Sequence, residues 1–164
     1  MDKSKIEQQG IIIGLIGPRF EKPNCMEWED IIISKQQNTA KNGYGREKVQ
    51  NSSSGDYRLM WNKFYNEIDF TNEEMEKISE NNSRFLKNNN FIFDNLMLLK
   101  RYKISFETFL LEAQARAEAL NKQAYLHVVG IGLGVWQFVT QQPQVFMQAF
   151  EESLISLGAV LGNV

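Results

Sequence analysis

The sequence has very few of the residues that build covalent cross-links and metal clusters. Among its 164 residues there is one cysteine, Cys25, and one histidine, His127. A single cysteine excludes an intrachain disulfide framework and suits a reducing compartment. Cysteine- and histidine-based zinc motifs need several such ligands, so the sequence predicts no metal site.

Long apolar runs and a strong excess of one charge are also missing. No apolar run reaches the roughly 18 residues of a membrane-spanning helix, and the N-terminus, MDKSKIEQQG, lacks the apolar core of a signal peptide. The net charge of -2 gives no reason to expect a nucleic-acid duplex as partner. We therefore expect a soluble, cytoplasmic protein without a membrane partner, although secretion without a signal peptide stays open.

The apolar residues that are present suffice for one folded domain. The hydrophobic content is 43% and the aromatic content 12%, and a chain of this length buries roughly 68–70% of its unfolded surface. We predict a single α/β domain over residues 1–164. Residues 35–56 are polar and rich in turn formers, which predicts a mobile loop. The final AVLGNV resembles the start of a strand, so the C-terminus is expected to be incomplete.

Local patterns predict several strands and helices. The isoleucine-rich runs IIIGLIG and DIIIS are typical of buried strands. Thr71 and Glu74 fit a capping box, and FETFLLEAQARAEALN predicts a helix with Ser105 as its N-cap. The runs FIF and LMLL could each be a strand or a helical turn. Trp61, Phe64, Tyr65 and His127 are expected in the core, and Tyr44 at a surface turn or at the tip of a flap.

The C-terminal part predicts a strand, a glycine loop and a helix. AYLHVVGI predicts a buried strand over Tyr125–Ile131. Pro143 suits the first turn of a helix, and Gly158 suits its end. This succession indicates an α/β fold with a mixed or parallel sheet flanked by helices.

The glycine loop is the first candidate binding site. In open α/β sheets, ligands bind beyond the carboxyl ends of the strands, and glycines let backbone amides point together at phosphate oxygens. Alternatively, the glycines only relieve crowding beside a helix. The spacing fits neither the dinucleotide fingerprint nor a P-loop, and no cofactor is predicted. The expected ligand-binding residues are Gly130, Ile131, Gly132, Leu133, Gly134, Val135 and Trp136.

The charged loop GPRFEKPNCMEWED is the second candidate site. It would leave the predicted sheet at the same edge, where Gly17, Arg19 and Phe20 could contact the ligand and Arg19 could pair with a phosphate. Glu21 or Glu27 could bind ribose hydroxyls or act as a general acid. Alternatively, the loop is a solvated surface on which Arg19 pairs with one of these carboxylates.

A family resemblance points in the same direction. The string HVVGIGLGVW looks like the second phosphate-binding loop of macrodomains and poly(ADP-ribose) glycohydrolases. The strings GPRFE, CMEWEDIII, QNTAKNGYG and ISFETFLLEAQARAEA also resemble an uncharacterised domain family with macrodomain-like folds. The chain lacks the glycine-triplet loop of macrodomains and the paired glutamates of the glycohydrolases. The resemblance thus implies binding of ADP-ribose or a related nucleotide diphosphate and leaves hydrolysis open.

Two hypotheses from different classes result. The first is a macrodomain-like module that binds ADP-ribose through the glycine loop, with or without ADP-ribosyl glycohydrolase activity. The second is a non-catalytic interaction domain, in which region 57–100 contacts a protein partner and the glycine loop is only structural.

Overall fold

The computed structural model describes residues 31–47, 52–78 and 82–164. The predicted site residues Gly17, Arg19, Phe20, Glu21 and Glu27 lie outside these ranges, as does the predicted strand IIIGLIG.

The described strands form one small antiparallel sheet. It consists of β1 (Ile32–Ile33), β2 (Phe85–Lys87) and β3 (Ile92–Asp94), in the order β1-β3-β2. Phe93 lies opposite both Ile32 and Leu86. All three residues of the central strand are buried, because the sheet has packed residues on both faces. The run DIIIS is thus confirmed as containing a strand, and FIF contributes a second one.

In the described ranges, four helices accompany the sheet: α1 (Ser53–Tyr65), α2 (Asn72–Glu76), α3 (Asn95–Ala119) and α4 (Gln142–Leu157). The capping box predicted at Thr71 and Glu74 is confirmed: the Glu74 amide donates to Thr71 Oγ1 and the Thr71 amide donates to Glu74 Oε2. The helix predicted around Pro143 is also confirmed, with this proline in its first turn and Gly158 directly after its end.

The long helix α3 begins eleven residues earlier than predicted. Its N-cap is Asp94, whose Oδ1 accepts hydrogen bonds from the amides of Leu96 and Met97 at 3.0 and 3.2 Å. The run LMLL belongs to its first turns, and Ser105 is buried in its interior. The N-cap prediction for Ser105 is therefore wrong, since serine followed by an apolar periodicity also occurs inside a longer helix.

The main core lies between α3 and α4 and extends to the sheet. Phe106 is in ring contact with Tyr102, Phe146 and Phe150, with centroid separations of 5.0 to 6.0 Å. A smaller cluster contains Ile33, Phe70, Met75, Phe85 and Ile92. Of the aromatic residues expected in the core, Tyr65 is buried and Trp61 packs against the core, whereas Phe64 is 61% exposed.

The strand predicted over Tyr125–Ile131 does not form. These residues run without a ladder partner in the described part of the chain, and Tyr125 and Val129 are 85% and 71% exposed. The prediction of a parallel unit here is wrong, because an apolar run forms a strand only when a neighbouring strand pairs with it. His127 is exposed against the ring of Tyr125 rather than buried. The terminal AVLGNV forms a turn, with the Val160 amide donating to Leu157 O.

The polar segment after β1 is held by buried side-chain amides. Gln37 and Asn38 are 0% and 3% exposed, and their amide groups donate to Ile32 O and Phe70 O. A 3-10 turn follows at Ala40–Asn42, and α1 already occupies Ser53 to Asp56. Tyr44 is 5% exposed, so it is not the tip of a flap. Mobility of the segment stays a prediction.

Candidate functional site

The glycine loop, residues 130–136, connects the extended segment to α4. Gly132 and Gly134 have φ angles of +74° and +75°, a region that residues with a Cβ rarely adopt. The loop ends in a 3-10 turn at Gly134–Trp136. Two of the three glycines are therefore required by the backbone conformation itself.

A buried glutamine anchors this loop to the start of α4. Gln142 is 0% exposed, and its Nε2 donates to Gly132 O at 3.1 Å. Its Oε1 accepts from the amides of Val139, at 2.8 Å, and Phe138. Sequence reasoning missed this residue, because its partners are backbone groups and leave no side-chain signature. The only available signal was that this glutamine directly precedes Pro143, the proline in the first turn of the helix.

Tyr102 of α3 lies directly beneath the loop. A Cβ placed on Gly132 would come within 3.0 Å of the Tyr102 hydroxyl, which is buried without a hydrogen bond of ordinary geometry. Burial raises the pKa of Tyr102, and the neighbouring Gln142 side chain opposes that shift. The hydroxyl is therefore neutral at physiological pH and fills the space that a side chain at position 132 would need.

The side of the loop that carries Gly134 and Val135 faces solvent. A Cβ on Gly134 would meet no atom within 4 Å, and Val135 is 94% exposed. The amides of Gly132, Gly134 and Val135 donate to no group in the described part of the chain. Unsatisfied amides on a turn rich in positive φ are suited to binding an anion. The loop can therefore offer several donors to phosphate oxygens.

A second polar cluster, which sequence reasoning also missed, joins β3, α3, the residue before β2 and the segment between α1 and α2. Arg84 donates to both oxygens of Asp94 at 2.8 to 3.0 Å and to Glu67 at 2.9 Å. Lys100 donates to Glu67 at 2.7 Å. Glu67 lies 17 residues from Arg84 and 33 from Lys100, and only the position of Asp94 before a helical run signals any role.

The electrostatics of this cluster favour the charged forms of Glu67 and Arg84 but not that of Asp94. Burial by itself would raise the pKa of Glu67, but the hydrogen bonds from Lys100 and Arg84 outweigh it and lower that pKa. Burial opposes the charged form of Arg84, yet Asp94 and Glu67 raise its pKa. Burial raises the pKa of Asp94 against the effect of its donors. Because these carboxylates accept hydrogen bonds from cations and amides, they are structural rather than free to take a proton from a substrate.

The cavity beside this cluster is too small for a nucleotide. It is lined by residues that include Arg58, Trp61, Asp69 and Asp94, and its volume is about 20 Å³. One water molecule needs about that much room.

Within the described ranges, no group of three or more histidine, cysteine, aspartate or glutamate side chains is arranged to hold a metal ion. Residues 31–47, 52–78 and 82–164 include no helix long and apolar enough to cross a membrane.

Comparison with known proteins identifies the class. The family model of the MavL-like ADP-ribosylhydrolases matches residues 1–164, so the chain belongs to that family. The sequence-based expectation of an ADP-ribose-related family is thereby confirmed. The macrodomain-like fold stays a prediction.

Two curated relatives come from Drosophila melanogaster. The protein named ADP-ribosylarginine hydrolase CG3568 is 46% identical in an alignment of 169 positions, and this alignment covers 99% of this chain and 33% of that protein. ADP-ribosylarginine hydrolase CG2909 is 42% identical in an alignment of 168 positions, which covers 100% of this chain and 33% of the relative. The chain thus spans about a third of the length of these relatives.

Proposed function

We propose that this chain contributes the ADP-ribose-binding part of a hydrolase that removes ADP-ribose from arginine side chains. The observation that carries the proposal is the match to the ADP-ribosylhydrolase family over residues 1–164. The names of the two relatives specify arginine as the modified residue. In this reaction water replaces the guanidine nitrogen on the anomeric carbon of the ribose: a carbon–nitrogen bond breaks, a carbon–oxygen bond forms, and the leaving guanidine takes up a proton.

The glycine loop is the binding element of this proposal. The free amides of Gly132, Gly134 and Val135 would donate to the diphosphate, and the missing side chains would let its oxygens come close to the backbone. Gly130, Ile131, Leu133 and Trp136 complete this loop. Gly17, Arg19 and Phe20 belong to the proposal as further ligand contacts, with Glu21 or Glu27 as the proton donor.

The proposal is tested by calorimetric titration of the intact protein with ADP-ribose, with AMP, NAD and ribose 5-phosphate as comparisons. Val135→Glu adds a negative charge to the loop at a side chain that is 94% exposed. It should therefore weaken ADP-ribose binding by repulsion without changing the melting temperature. Release of ADP-ribose from ADP-ribosylated arginine, followed by chromatography, should fall in the same variant.

Ile155→Glu is the matched control. Ile155 is 75% exposed on the same helix that follows the loop and lies roughly 20 Å along the helix axis from its start. That separation exceeds the screening length of about 8 Å at physiological salt, so this variant should bind like the wild type. No heat with any of the ligands, from a folded wild-type protein, would contradict the proposed function.

One observation favours the second hypothesis, a protein-interaction domain. The side chains of Tyr57, Met60 and Phe64 are 43%, 53% and 61% exposed on α1, and their spacing of three and four residues places them on one face. An apolar stripe of this kind is compatible with a protein partner. Absence of ligand binding together with loss of a partner in Phe64→Ser would favour this function over the first.

A further inference from the structure

We infer that Gln142 is a positioning residue, which fixes the glycine loop in the conformation that binds the diphosphate. The inference rests on the proposed function and adds the residue that would make its binding loop rigid. Gln142 is fully buried, and its amide group is used on both sides: Nε2 donates to Gly132 O at 3.1 Å, and Oε1 accepts from Val139 at 2.8 Å and from Phe138.

The other contacts of the loop do not set its orientation. The backbone bonds from Ile131 to Val129, from Leu133 to Gly130 and from Gln137 to Gly134 each close a local turn. Ile131 and Leu133 pack against the main core, but apolar contacts are not directional. Among the described residues, the directional link between the loop and the helical core is therefore the Gln142 side chain, whose partner at Gly132 lies ten residues earlier.

The hydrogen bond to Gly132 O restrains the peptide plane that controls the direction of the proposed phosphate donors. This plane joins Gly132 to Leu133, and it lies between the peptides that carry the free amides of Gly132 and Gly134. The amide of this plane, on Leu133, donates to Gly130 O, which restrains the plane only relative to its own turn. Gly132 has a φ of +74° and no Cβ, so this turn can still rotate relative to α4 unless Gln142 holds it. By fixing this carbonyl, Gln142 sets the direction of the donors on either side and lowers the entropy lost when an anion binds.

Gln142→Met tests the inference, because methionine has a similar length and can make none of the three hydrogen bonds. Gln142→Glu keeps the acceptor for Phe138 and Val139 and loses only the donor to Gly132 O. Gln144→Met is the matched control, since Gln144 is exposed on the first turn of the same helix. The dissociation constant for ADP-ribose, KM and kcat for ADP-ribosylarginine, and the melting temperature are measured in the intact protein.

In Gln142→Met we expect the dissociation constant and KM to rise about tenfold, as for the loss of a buried hydrogen bond, with kcat nearly unchanged. The amides of Phe138 and Val139 should exchange with solvent faster. A merely structural role would instead lower the amount of active protein and therefore kcat, while KM stayed constant. Gln144→Met should match the wild type in every measurement.

Wild-type affinity and KM in a folded Gln142→Met protein would overturn the inference while leaving the proposed function intact. If this variant does not fold, Gln142→Glu decides in the same assays when it is compared with Gln144→Glu, which adds the same charge to the same helical turn. A KM raised well above that of Gln144→Glu supports the inference, and an equal KM overturns it. Absence of ADP-ribose binding by the wild-type protein is a separate result, which would overturn the proposed function and the positioning role together.

Discussion

The buried ion pair between Arg58 and Asp69 should be the most sensitive electrostatic contact in the described structure. Arg58 Nε and Asp69 Oδ2 are 3.0 Å apart, and the two side chains are 2% and 7% exposed. Asp69 Oδ1 also accepts from the Gly45 amide at 3.0 Å, and the Arg58 guanidinium lies 4.4 Å from the centre of the Tyr44 ring. Loss of the carboxylate charge would remove this ion-pair partner from a cation that is itself buried.

Asp69→Asn isolates that charge, because asparagine keeps an oxygen for the Gly45 amide. Removing one partner of a buried pair costs about 3–5 kcal/mol, a large fraction of the roughly 5–15 kcal/mol by which a domain is stable. The melting temperature, followed by circular dichroism, should fall by roughly 6–20 °C.

The control is the exposed pair of Lys35 and Glu76, 3.2 Å apart with side chains 75% and 55% exposed. Solvent screens this pair, so Glu76→Gln should change the stability by only about 0–1 kcal/mol. Equal losses in Asp69→Asn and Glu76→Gln would refute the reasoning, because burial would then have no effect on the value of the ion pair.

Two further predictions concern pH and backbone conformation. The pKa of Glu67 is lowered from 4.5 by Lys100 and Arg84, so its contribution is present above that value and is lost as pH falls through the lower folded pKa. The difference in unfolding free energy between wild type and Glu67→Gln, measured with urea, should therefore shrink below pH 4.5; a constant difference would contradict this. Gly43→Ala and Gly134→Ala both impose left-handed strain of about 1–2 kcal/mol. Only the first places a Cβ 2.4 Å from Ser54 O, so it should be clearly less stable, and equal losses would contradict the clash.

Local signals in the sequence predicted the helix ends that depend on neighbouring residues. The capping box of Thr71 and Glu74 forms as predicted, because both hydrogen bonds span only three residues. Pro143 lies in the first turn of α4 for the same reason: its fixed φ and missing amide suit that position in any tertiary context. The prediction for Ser105 was wrong, since the stronger cap at Asp94 extends the helix upstream.

The sequence predicted which residues form the glycine loop, but it did not predict the structure of the segment before the loop. The pattern of Gly132 and Gly134 indicated an unusual backbone, and both glycines have positive φ. The preceding Tyr125–Ile131 was expected as a buried strand, and it is largely exposed and unpaired within the described ranges. Hydrophobicity reports what a residue can bury, whereas pairing depends on a second segment that the local pattern does not identify.

By itself, the sequence determined the features that depend on short separations: the capping box of Thr71 and Glu74, the glycines at 132 and 134, and the proline in the first turn of α4. Tertiary structure alone decided that Gln142 holds Gly132 and that Arg58 pairs with Asp69. The physical reason is that local conformation follows from steric limits and hydrogen bonds within a few residues. A buried polar contact, in contrast, exists only after packing has excluded water from both partners.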